Sequence, residues 1–168
     1  MPRRVVLTKA GSPDTIAIQE MEMPSPGEGE IRIEVAFAGI NFADLLMRLG
    51  LYNPRPDYPF TPGYEMSGVV DAVGKGVEGF SMGQRVVAAM PNGGQSSHTV
   101  VAANRALVLP EGVSLETAAS IPVTYLTAHH MLHYLGHMKK GDSVLIHGGA
   151  GGVGTAALQL CQWAGVDK

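Results

Sequence analysis

Apolar and polar residues alternate at Ile31-Arg32-Ile33-Glu34-Val35, the two-residue period of a strand with one face in a core. Shorter runs at Arg4–Leu7, Thr15–Gln19, Ser67–Val73, Gln84–Ala89 and Ser97–Ala102 predict further strands. Turn-forming stretches separate them: Met23–Gly29, Gly74-Lys75-Gly76 and Asn92-Gly93-Gly94. One helical period interrupts the series. Phe42–Leu49 has apolar residues at helical spacing, with Asn41 at the N-cap position and Gly50 as a stop. Tyr52–Gly63 carries Pro54, Pro56, Pro59 and Pro62 and predicts a loop. After Leu109-Pro110 the period changes. Ser114, with Glu116 in the first turn, opens a short helix, and Pro122 suits the first turn of a second one reaching about Leu135. Val144–Ile146 reads as a buried parallel strand, and the alanine-rich stretch Val153–Trp163 as the helix after it.

Between that strand and helix, Gly149, Gly151 and Gly154 fit G-x-G-x-x-G, the turn of a dinucleotide site. Small residues let the backbone approach a pyrophosphate, and a helix N-terminus turns free N–H groups and partial positive charge toward it. Gly152 and Val153 belong to the same turn. A glycine turn also serves as a plain tight connection; here the flanking strand and helix favour the nucleotide reading. The acidic residue that reads the ribose lies about 20 residues beyond such a motif. Lys168 follows Gly154 by only fourteen residues, and Asp167 falls too early, in a connecting loop. The expectation is therefore the first β-α unit of a doubly wound α/β domain, truncated.

Composition narrows the class. With 45% hydrophobic and 16% charged residues the chain reads as globular, and a net charge of −3 without a basic block argues against nucleic acid. The single cysteine, Cys161, excludes an internal disulfide and a cysteine-rich zinc site, and reads as a small core residue. No apolar run approaches the ~20 residues that span a bilayer, and no apolar core follows Arg3-Arg4 as in a secretory signal. The expected compartment is cytoplasmic, with no membrane partner. His129, His133 and His137 stand four apart, which puts imidazoles on one helix face. No carboxylate completes a ligand set there, and Gly136 is placed to end the helix, so a partly exposed helix face is expected rather than a metal. His147 either lines a nucleotide cleft or packs at the turn.

Further motifs carry a resemblance. They are Ala38-Gly39-Ile40-Asn41-Phe42-Ala43-Asp44; Arg48 with Gly50-Leu51-Tyr52; Thr61-Pro62-Gly63-Tyr64-Glu65-Met66-Ser67-Gly68-Val69-Val70; Gly83-Gln84-Arg85-Val86; and Thr124-Tyr125-Leu126-Thr127-Ala128. With the glycine turn, the sequence resembles the N-terminal half of a medium-chain dehydrogenase/reductase, in the quinone oxidoreductase family and its synaptic-vesicle-membrane-protein-like branch. The resemblance implies a β-rich GroES-like barrel domain over residues 1–113, connecting helices over 114–138, and the start of an NADPH-binding Rossmann domain over 139–168. It implies hydride transfer from NADPH to a quinone or an α,β-unsaturated carbonyl, and a homodimer in the full-length protein. The alternative is a non-catalytic fragment or remnant that folds its β domain without productive cofactor binding.

Zinc-dependent relatives of that superfamily have a cysteine where Asn41 stands and a histidine before Glu65, where this sequence has Tyr64. They also carry a four-cysteine lobe that is missing here. The resemblance thus implies a zinc-independent enzyme, because thiolate and imidazole ligands are lacking at both sites. It assigns Asn41 and Tyr52 as donors to the substrate oxygen, Asp44 as an orienting or nicotinamide-side residue, Tyr64 as a residue of the cleft, and Thr127 as a cofactor neighbour. Each has a structural alternative: Asn41 as a helix cap, Tyr52 as an anchor of the proline-rich loop, Asp44 as a first-turn acid. Family members have an acid at Gln84, so the pairing of that acid is expected to be lost; Arg85 reads as structural.

Overall fold

The computed structural model describes residues 1–53 and 55–166. Asp167 and its expected place in a connecting loop lie outside the described residues, as does Pro54. The chain divides into two compact units, Met1–Ser120 and Ile121–Lys168.

The first unit is a β domain. Strands β1 (Arg3–Leu7) and β2 (Ile16–Glu20) form an antiparallel pair. A five-stranded antiparallel sheet holds β3 (Glu30–Ala38), β4 (Glu65–Val73), β5 (Arg85–Ala89), β6 (His98–Ala102) and β7 (Ala106–Val108), in the order β6-β3-β4-β5-β7. The alternation in β3 holds: Ile31 and Ile33 are fully buried and Glu34 is exposed. They meet Met66 and Val70 of β4, Val86 and Ala88 of β5, and Val101 of β6 in the main core. On the other side of the same strand, Arg32 Nε reaches Asp71 Oδ1 of β4 at 2.9 Å. One glycine is forced by this pairing. A Cβ at Gly68, mid-strand in β4, would run into the Glu34 carbonyl oxygen and come within 2.9 Å of Ile33 Cγ2.

Two short helices belong to this unit. Helix α1 (Phe42–Arg48) buries Met47 against Leu7 and Phe60 in a second, smaller core. Helix α2 (Leu115–Ala119) is capped by Ser114, whose Oγ accepts from the Thr117 N–H at 3.1 Å, and Ser67 Oγ of β4 donates to the Leu115 carbonyl at 2.6 Å. Gln84 keeps an acceptor role without the acid expected there, taking the Ser81 N–H at 2.7 Å. Arg85 donates to the Val113 carbonyl, a structural role.

The second unit contains α3 (Pro122–His129) and α4 (Gly152–Ala164), joined through buried Ala128, Ala156 and Ala157. Two expectations are corrected in this unit. The helix begun at Pro122 does reach Leu135, but its second half, His130–Leu135, is wound as a π-helix. The wider winding starts only after His129, and His129 and His133 still share one partly exposed face, as their spacing predicts. The His129 and His133 rings stand 4.6 Å apart, His130 stacks on Tyr134, and His137 lies past the helix at φ +50°.

The second correction concerns Val144–Ile146, which forms no strand. Leu145 is 84% exposed, and Val144 and Ile146 are half-buried. A strand exists only as a hydrogen-bonded ladder, and only the single residue Ser143 before this run is bridged; among the described residues no ladder continues through it. Its amides should therefore exchange with solvent at least about 100-fold faster than those of Met66–Val70 in β4. Equal protection of the two segments in segment-resolved hydrogen exchange would contradict this account.

Candidate active site

The residues singled out at the start of α1 come together through one carboxylate. Asp44 is 5% exposed; its Oδ2 accepts the Asn41 N–H at 2.8 Å and its Oδ1 the Gly63 N–H at 3.1 Å. The first bond is half of a capping box, in which the Asn41 side chain faces the Asp44 backbone N–H. The second pins the end of the proline-rich loop to the helix. Gly63 sits at φ +105°, where a Cβ would stand 2.6 Å from the Gln95 nitrogen, so the loop can make this contact only with glycine. Burial pushes the Asp44 carboxyl above its ordinary value, and the two N–H bonds pull the other way without reversing the shift.

Tyr64 follows Gly63 directly, and Tyr52 stands earlier in the same loop. Both are half-buried and pack, with Tyr58, on the Met47 core. The Tyr64 hydroxyl lies 3.8 Å from Met47 Sδ, and Tyr58 donates to the Met47 carbonyl. Burial first, then the neighbouring Tyr52 hydroxyl and the Asp44 charge, push the Tyr64 phenol up to about 12. Tyr64 therefore stays an O–H donor across the neutral range. The structure thus brings Asn41, Asp44, Tyr52 and Tyr64 into one neighbourhood around Met47.

Glu65 is the residue that motif reading passed over. It opens β4, is 2% exposed, and its Oε1 accepts from Asn41 Nδ2 at 2.7 Å. The available signal was an acid at the head of an apolar strand, where charge is rarely buried without a partner.

In the second unit, Gly151 caps α4 in an extended conformation, and Gly149 precedes it in the turn. The glycines differ in what they tolerate. A Cβ at Gly154 would collide with the Gly148 carbonyl oxygen and lie 2.7 Å from Gly149 Cα, so Gly154 is needed for close packing. A Cβ at Gly151 meets only the Gly148 oxygen, at 3.4 Å, and one at Gly152 lies 3.0 Å from Thr124 Cγ2. Val153 is half-buried in the first turn of α4, packed with Ala156 and Ala157. An open groove of about 860 Å³ runs beside the turn, with Met131, Leu145, Gly151, Gly152 and Val153 among its walls. Thr127 is an exposed residue of α3, and His147 is exposed at the turn. Among the described residues no three His, Cys, Asp or Glu side chains group to hold a metal ion, and no helix is long and apolar enough to cross a membrane.

Residues 27–113 match the model of the alcohol dehydrogenase GroES-like domain. The chain belongs to that family. Within the medium-chain dehydrogenase/reductase superfamily its relatives include vesicle membrane proteins and quinone oxidoreductases. It is 44% identical over 161 residues to a zebrafish (Danio rerio) synaptic vesicle membrane protein VAT-1 homolog, covering 95% of this chain and 33% of that protein. The crystal structure of the CurK enoyl reductase superposes with a TM-score of 0.92 at 34% identity, covering 98% of this chain and 52% of the other. An Escherichia coli quinone oxidoreductase complexed with NADPH gives a TM-score of 0.87 at 34% identity, covering 98% and 51%. The chain spans between a third and a half of the length of the vesicle membrane and quinone oxidoreductase relatives it matches.

Tyrosine titration tests the GroES-like site. Tyrosinate absorbance of the wild-type chain minus that of Tyr64→Phe should isolate one phenol ionising near 12. A raised folded value means the folded state holds this proton after the unfolded state has lost it. Tyr64 therefore withdraws stability as pH rises from the ordinary value of 10 through about 12, and Tyr64→Phe should lack that decline. A missing component near 10 would show that the phenol is not buried against Tyr52.

Proposed function

We propose that the chain provides the substrate donors and the dinucleotide turn of a zinc-independent oxidoreductase, which transfers hydride from NADPH to a quinone or an α,β-unsaturated carbonyl. The observation that carries this reading is the polar cluster around Met47. The positions that hold Cys and His in zinc-dependent relatives carry an amide bonded to Asp44 and Glu65, and a phenol bonded to Tyr52 near the Asp44 charge. Such a set holds a carbonyl by hydrogen bonds rather than by a Lewis acid. As charge develops on the substrate oxygen, preorganised donors stabilise it without reorganising at that moment. Asn41 and Tyr52 are the donors in this reading. With its phenol at about 12, Tyr64 is a poor proton source, so its part is to hold Tyr52 in place.

The residues of the second unit fit a dinucleotide. Space stands open over Gly151, α4 starts at Gly152 without a side-chain cap, and Gly154 lets the turn close on the helix. Gly149, Gly151, Gly152 and Val153 would hold the pyrophosphate, with Thr127 nearby. The bound cofactor supplies the hydride; the chain's own residues bind it and orient the acceptor. A homodimer is the proposed assembly, with a small-molecule quinone or enone as its partner. One observation favours a second reading, in which the β domain folds without productive cofactor binding. Val144–Ile146 forms no strand, and the groove beside the turn stays open.

Two experiments separate the readings. NADPH titration should show weak binding to the 168-residue chain and tighter binding when it is extended by the C-terminal half of a quinone oxidoreductase. Gly151→Trp should lower that affinity by roughly tenfold or more, because the indole would occupy the space of the pyrophosphate. In the extended protein Tyr52→Phe should lower quinone turnover by about 100-fold with NADPH affinity nearly intact. Unchanged affinity in the first variant would remove the nucleotide site from this turn, and unchanged turnover in the second would return Tyr52 to a loop anchor.

A further inference from the structure

We infer that Glu65 is a positioning residue, which fixes the orientation of the Asn41 amide so that one of its N–H bonds remains available to a substrate oxygen. Glu65 stands on a rigid element, at the head of β4 in register with Ala89 of β5. Its side chain is buried against the backbone that leads into α1. A Cβ at Gly39 would lie 2.6 Å from Glu65 Cγ and 2.7 Å from its Cδ, so glycine at 39 is what gives the carboxylate room. Gly39 also donates its N–H to the Glu65 carbonyl at 3.2 Å, which ties the two segments at the main chain.

The amide between them can face only one way. On one side stands the Glu65 oxygen, 2.7 Å from Nδ2, which only accepts while ionised. On the other stands the Asp44 backbone N–H of the capping box, which only donates and whose hydrogen bond goes to the Asn41 carbonyl at 3.0 Å. A flipped amide would set oxygen against oxygen and N–H against N–H. Nδ2 has two hydrogens and Glu65 takes one. Among the described residues no acceptor is paired with the second. Without Glu65 the amide keeps only its cap and is free to turn, and its donor direction is lost. The negative charge of Glu65 would oppose charge building on a substrate oxygen, so its contribution is to orientation. A neutral acceptor of the same length should therefore serve equally well.

The catalytic part of this inference rests on the proposed function; the positioning part does not, and two readouts keep them apart. In the ¹⁵N-labelled chain, the Asn41 side-chain NH₂ should show two well-separated, slowly exchanging proton signals. Glu65→Gln should preserve them, and Glu65→Met should move them to free-amide positions while β4 amide shifts stay in place. Should Glu65→Met fail to fold, Glu65→Ala makes the same comparison without a steric clash. In the extended protein, Glu65→Met should lower kcat by about tenfold or more, with KM and NADPH affinity little changed. Glu65→Gln should stay within about threefold of wild type, and adding Asn41→Ala to Glu65→Met should cost little more. Unmoved Asn41 signals in Glu65→Met would overturn the positioning role. Moved signals with unchanged kcat would overturn its use in catalysis. A wild-type extended protein without reductase activity would overturn the functional reading and leave the amide signals to decide the positioning role.

Discussion

Asp44 joins two segments that lie nineteen residues apart, through its bond to the Gly63 N–H. With the same carboxylate it closes the first turn of α1 on Asn41. The bridge ties the head of α1 to the end of the proline-rich loop. Asn41 is held at the helix entrance. Tyr64 emerges next to the pinned glycine, and Tyr52 packs beside it on Met47. Glu65 enters β4 one residue later and reaches back to the Asn41 amide. Burying a carboxylate has a cost, visible in its raised pKa, and two N–H donors offset it. The alternatives weighed from the sequence are therefore not exclusive. Asn41 is the N-cap of α1, and its amide, bonded to Glu65, sits where it can also be a donor.

The same geometry explains what can replace a metal. A catalytic zinc site needs thiolate or imidazole at fixed points with an open position for substrate. Here the corresponding places carry an amide and a phenol, so in the proposed reading a carbonyl would be polarised by N–H and O–H dipoles. Such donors are weaker than a cation and depend more on direction. That dependence is why side chains that touch no substrate, such as Asp44 and Glu65, matter to the proposed chemistry.

Much of the fold was legible because its signals are local. The alternation in β3, the Asn41 and Ser114 caps and the glycine turns each act within a few residues and appear where expected. The strand at Val144–Ile146 was read from apolar character alone, but a strand also needs a neighbour, which no run of residues announces. His129 and His133 meet as their spacing predicts, whereas the π-turn over His130–Leu135 ends the helix before His137, which lies past it. Of the site, the motifs gave Asn41, Asp44, Tyr52 and Tyr64. Glu65 was quoted within a motif without a role, since its partner lies twenty-four residues away and only folding brings them together.

Metal-free hydride delivery to an acceptor held by these donors can be followed through the hydride itself. Its most direct measurement uses NADPH deuterated at the transferring C4 position. The extended protein is first treated exhaustively with a chelator and then given an α,β-unsaturated ketone, and the product is read by mass spectrometry. The account predicts one deuterium on the β-carbon at an undiminished rate, with less than a tenth of an equivalent of zinc in the sample (roughly the level of adventitious metal). Turnover that disappears on chelation and returns with zinc, or product without the label, would contradict it.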